Sequence, residues 1–168
     1  GDPVATPLLE ALFEHCLRAG AHPFIRSTPA SIQEIFFELA NEEQLRYLNP
    51  LNMEEIEKID VSISLWADVN TKSLSRIDPK RQSIHSAARK PVFTRFMERA
   101  AKGELKWCGT LFPTISNAQD AEMSMRQYEE FVFGAGYLDR EDPVAEWRRI
   151  EAAQQKICDY LKGKKQIR

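Results

Sequence analysis

Cysteine is scarce in this chain: 168 residues carry only Cys16, Cys108 and Cys158. They are odd in number, far apart and without a C-x-x-C pair, so no disulfide framework is written here and a reducing, cytoplasmic setting is expected. Long apolar runs are missing too. No stretch reaches the roughly 20 apolar residues that span a bilayer, and no charged-then-apolar leader opens the chain, so neither membrane nor secretion is expected. Charge of one sign is also lacking. The 23 Lys and Arg nearly balance the 25 Asp and Glu, leaving −2, and no global field recruits nucleic acid. The one basic run, KGKKQIR at 162–168, is short and reads as a solvated helix exit. Compact catalytic signatures are absent: there is no H-E-x-x-H, no glycine loop for phosphate and no G-x-S-x-G. His15, His22 and His85 lack acidic or cysteine partners at ligand spacing and read as surface residues.

What remains is an ordinary globular composition, 43% hydrophobic and 29% charged, in a length suited to one domain over residues 1–168. TPLLEALFEHCLRAGAHP, from Thr6, predicts a helix with Thr6 as cap, Pro7 in the first turn and Gly20 in a left-handed exit. Leu8, Leu9, Leu12, Phe13, Cys16 and Leu17 form its apolar stripe. PFIRS (23–27) reads as a short strand. A second helix follows, capped by Thr28, with Ile32, Ile35, Phe36 and Leu39 as its buried face. Val61, Ile63, Leu65 and Ala67 alternate with Ser62, Ser64, Trp66 and Asp68, which is a strand pattern. A helix over 83–101, interrupted near Pro91, turns Phe93, Phe96, Met97 and Ala100 inward. LKWCGTLF (105–112) is a third strand, closed by Pro113. Cys16 and Cys108 both fall in apolar patterns, where free cysteine packs as a small core residue. Strands that alternate with helices predict an α/β fold, a mainly parallel sheet flanked by helices. Both chain ends break off that rhythm, so the expectation is a cut piece of a longer protein.

The densest acidic stretch, NAQDAEMSMRQYEEF (117–131), poses the sharpest chemical question. Read as one helix, it is capped by Asn117 with Asp120 three residues on, and Ala118, Ala121, Met125, Tyr128, Val132 and Ala135 make one seam. Helical residues turn by about 100°, so Asp120 and Glu122 point about 200° apart and share no metal. Glu122 and Glu130 each stand four residues from Arg126, as on a solvated face. These acids read as structural.

The order of segments adds a resemblance. PLLEALFEHCLRAGAHPFI, DVSISLWADVNTKSL, KWCGTLFPTISNAQDAEMSMRQYEEFVFGA and DPVAEWRRI together resemble the aminopeptidase T family of two-metal aminopeptidases. The most specific part runs from Trp107 to Ala135. The resemblance implies the N-terminal domain, residues 1–168, of a metal-dependent aminopeptidase that removes residues from peptide N-termini. It also implies a homodimer, and two divalent metals of the zinc or cobalt type held by a later part of the longer protein. No catalytic or metal role transfers to any residue here, and the 168-residue chain alone is expected to be inactive. Trp107, Thr110 and Gln119 are the substrate-pocket candidates, placed where a strand end meets a helix start; core and cap roles for all three are the alternative. Two other classes stay open: a free-standing α/β binding module, and a protein-interaction domain without catalysis, which would expose an apolar patch.

Overall fold

In the computed structural model, residues 3–166 are described. A 3-10 turn at Pro3–Ala5 leads into α1 (Thr6–Arg18). Then come α2 (Ala30–Leu39), α3 (Glu42–Arg46), α4 (Pro50–Lys58), β1 (Val61–Trp66), α5 (Pro79–Ala101), β2 (Lys106–Leu111), α6 (Ile115–Asp120), α7 (Met125–Ala135) and α8 (Pro143–Leu161). Helix occupies 60% of the chain and strand only 7%. The expected α/β fold with a mainly parallel, helix-flanked sheet is therefore corrected to a mostly helical chain. Its described residues form one open two-stranded sheet, β1 parallel to β2, with Val61 opposite Lys106 and Trp66 opposite Leu111.

The reason lies in pairing. Alternation marks which segments can be strands, but a strand exists only when another segment completes its ladder. PFIRS finds no ladder; it lies in an irregular stretch before α2, where Arg26 donates to Glu55 and Asn52 of α4. The Arg26 side chain ties that segment to α4.

The core sits where α2 and α3 meet α5. Phe37, Ala40 and Leu45 are buried there, with Phe36, Leu74, Ile77 and Ile84 packed around them. Phe37 takes the inward place expected of Ile32, Ile35 and Leu39, which are all exposed. His85 is half-buried, not a surface residue. Its ring lies edge-on to Phe36 and Phe37 at 5.2 and 5.3 Å. Two arginines of α5 satisfy carbonyls that helix ends leave open. Arg81 donates to Phe37 O at 2.7 Å and to Ala40 O. Arg99, 8% exposed, donates to Ile56 O and Ile59 O at 2.5 and 2.9 Å and to Glu104 O at 3.1 Å. Arg99 thus joins the exit of α4 to the entry of β2. Helix α5 runs unbroken through Pro91, and on it Phe93 and Met97 are exposed.

Several caps differ from expectation. Ala5 precedes α1, and Thr6 is its first residue; Pro29, with no side-chain cap bond, stands where Thr28 was expected to cap α2. Gly20 does take the left-handed exit, at φ 76°. The acidic segment is two helices. Thr114 caps α6, and Ser124 caps α7 in a reciprocal capping box with Gln127. Between them Glu122 adopts φ 56°, so Asn117 is no cap and the single apolar seam is broken at Ala121.

Candidate functional site

The carboxyl ends of parallel strands are where open α/β sheets place their ligands. Here those ends are stitched together. Phe112 N–H donates to Trp66 O at 2.8 Å, one rung beyond the strands. The buried Thr114 hydroxyl donates to Asp68 O at 2.7 Å, and Ser116 donates to the same carbonyl. Asp120, at the end of α6, reaches the loop after β1. Thr71 Oγ1 donates to it at 2.5 Å and Lys72 Nζ at 3.1 Å. The Thr71 hydrogen bond first, and Lys72 second, hold its carboxyl below the usual aspartate range. An ionised Asp120 thus clamps the end of α6 to the loop after β1. The Asn117 side-chain amide nitrogen is buried without a hydrogen-bond acceptor.

The three pocket candidates lie as follows. Trp107 is the second residue of β2, opposite Ser62, with its ring 6.3 Å from Phe96. Thr110 lies opposite Leu65, one residue before the end of β2, and Gln119 lies in the last turn of α6. Thr110 and Gln119 are exposed. Pleating puts Trp107 and Thr110 on opposite faces of the sheet, so the structure does not gather the three into one constellation. Trp107 also stands at the start of its strand, away from the carboxyl end. The face of Trp107 carries Trp66, whose indole lies over the β2 backbone at Gly109. A Cβ added there would meet the indole at 2.5 Å.

The Thr71–Lys72–Asp120 clamp escaped the sequence reading because its members lie 48 and 49 residues apart. Thr114 left a local signal, a cap residue three positions before Asn117, but Asn117 competed for that role. Cys108, expected in the core, is exposed together with the sheet.

Among the described residues no three His, Cys, Asp or Glu side chains converge as metal ligands. Asp120 is engaged by Thr71 and Lys72, and a pair of divalent metals does not fit the described residues. Nor is any described helix long and apolar enough to cross a membrane.

Comparison with known proteins adds the ancestry. The chain is 24% identical over 170 residues to aminopeptidase 2 of Geobacillus stearothermophilus, an alignment covering 95% of this chain and 41% of that relative. The chain therefore spans well under half the length of the relative it matches. A family model described as thermophilic metalloprotease (M29) matches residues 1–168 in full, and on that match the chain belongs to the thermophilic metalloprotease family.

Proposed function

We propose that this chain is the N-terminal domain, residues 1–168, of a metal-dependent aminopeptidase acting on peptide N-termini, and that it is inactive by itself. The family match over its whole length carries the reading. The lack of a convergent ligand set among the described residues supports the second half. The zinc- or cobalt-type metals would then be held by polypeptide outside this chain. The domain would contribute packing and a cavity wall, with Trp107, Thr110 and Gln119 as wall candidates, in a cytoplasmic homodimer. The test is release of a chromogenic amine from a leucine anilide, with and without added cobalt or zinc. The 168-residue chain should give no turnover, and the longer protein should give metal-dependent turnover. Turnover by the purified 168-residue chain would defeat the reading.

A second reading, a protein-interaction module without catalysis, is favoured by one observation. Large apolar side chains such as Phe24, Leu39 and Trp107 are more than half exposed, and contiguous exposed apolar surface marks interaction sites. A longer protein that is inactive across several N-terminal residues would select this reading.

A further inference from the structure

The uncovered sheet has a quantitative side. A compact monomer of 19.3 kDa exposes about 8,500 Å². This chain exposes 13,227 Å², which is about 4,700 Å² beyond that expectation. The excess includes both faces of the sheet. Val61 and Ile63 are 58% and 43% exposed on one face, and Trp66 and Trp107 are 52% and 57% exposed on the other. Parallel strands are normally covered on both sides, and a two-stranded sheet is marginal alone.

We propose that both faces of the β1–β2 sheet are an interface for a further stretch of the same polypeptide, and that a second copy of this chain does not fill it. This rests on the reading of the chain as part of a longer protein. Geometry decides between the two occupants. A second copy meets one side of a thin sheet, whereas the apolar residues here lie on two. A long continuous segment wraps both. The relative has room for one, since 41% of its length accounts for the alignment.

The test compares the 168-residue chain with the full-length product of its gene. Hydrogen exchange should slow at least a hundredfold across 61–66 and 106–111 in the full-length product relative to the chain alone. Ile63→Asp should lower the Tm of the full-length product by about 10 °C, as expected for a buried unpaired charge. In the 168-residue chain it should change the Tm by no more than about 2 °C. A gene product no longer than 168 residues, equal exchange in both forms, or a dimer of the short chain with a protected sheet would overturn the proposal. A full-length product that protects the sheet yet hydrolyses no peptide would uphold the interface and remove the aminopeptidase reading.

Discussion

Replacing Gly109 with alanine should destabilise the chain, and the reason is its neighbour. The added Cβ would stand 2.5 Å from Cη2 and 2.7 Å from Cζ3 of Trp66, closer than carbon atoms pack, so the indole must lift off β2. Trp66 is 52% exposed, so roughly 100 Å² of ring contact is at stake, about 2.5 kcal/mol if all of it were lost. Alanine returns about 0.5–1 kcal/mol, because glycine loses more backbone freedom on entering a strand. The net loss should be about 1–2 kcal/mol, read from urea melts with the slope unchanged. The decisive measurement is the same substitution in a Trp66→Ala background. With the indole gone, Gly109→Ala should become neutral or stabilising, reversing its sign. An equal loss in both backgrounds would refute the reasoning, because the cost would then lie in the backbone and not in the indole.

Arg99→Met should cost about 3 kcal/mol in the same melts, since it leaves three carbonyl oxygens without their donor. Arg126→Ala, which breaks an exposed ion pair with Glu130, should cost no more than about 1 kcal/mol. Glu122→Gly should raise stability by about 1 kcal/mol by relieving a left-handed backbone, whereas Glu122→Ala should not; equal effects would remove that explanation. His85 is held below its ordinary value of 6.5 by burial first and by Arg89 second. The unfolded chain therefore takes up that proton before the folded one. This contribution to stability is complete above about pH 6.5 and declines as pH falls from there through the lower folded value. His85→Phe should flatten that part of the stability–pH curve, and an unchanged curve would show that the ring contacts do not set the titration.

How much was legible follows from how local each signal is. The helix of Leu8 to Leu17 with its Gly20 exit, and the strands read over 61–68 and 105–112 and observed at Val61–Trp66 and Lys106–Leu111, depend on near neighbours. The number of strands does not, because PFIRS looks like a strand until it is seen to lie outside the β1–β2 ladder. Arg26 and Glu55, which fix that segment, are 29 residues apart. Cap choice failed where two polar residues competed: Thr114 over Asn117, and Ser124 opening a second helix that a continuous apolar period concealed. Asp120 was read as a capping-box residue near a helix start, but it ends α6; its partners, Thr71 and Lys72, belong to the loop after β1, and no spacing rule reaches them.

Pro91 gives α5 a mechanical character. Proline has no N–H, so the Ala87 carbonyl lacks its rung in the helical ladder, and 87–91 becomes the most compliant stretch of an otherwise stiff rod. On one side of it Arg81 and His85 grip α2. On the other, Arg95 holds Glu57 through paired bonds of 2.6 and 2.7 Å, and Arg99 holds the exit of α4 and the entry of β2. The helix therefore works as two levers sharing a soft joint. A load applied to the sheet bends the chain at 87–91 before it reaches the α2–α3 core.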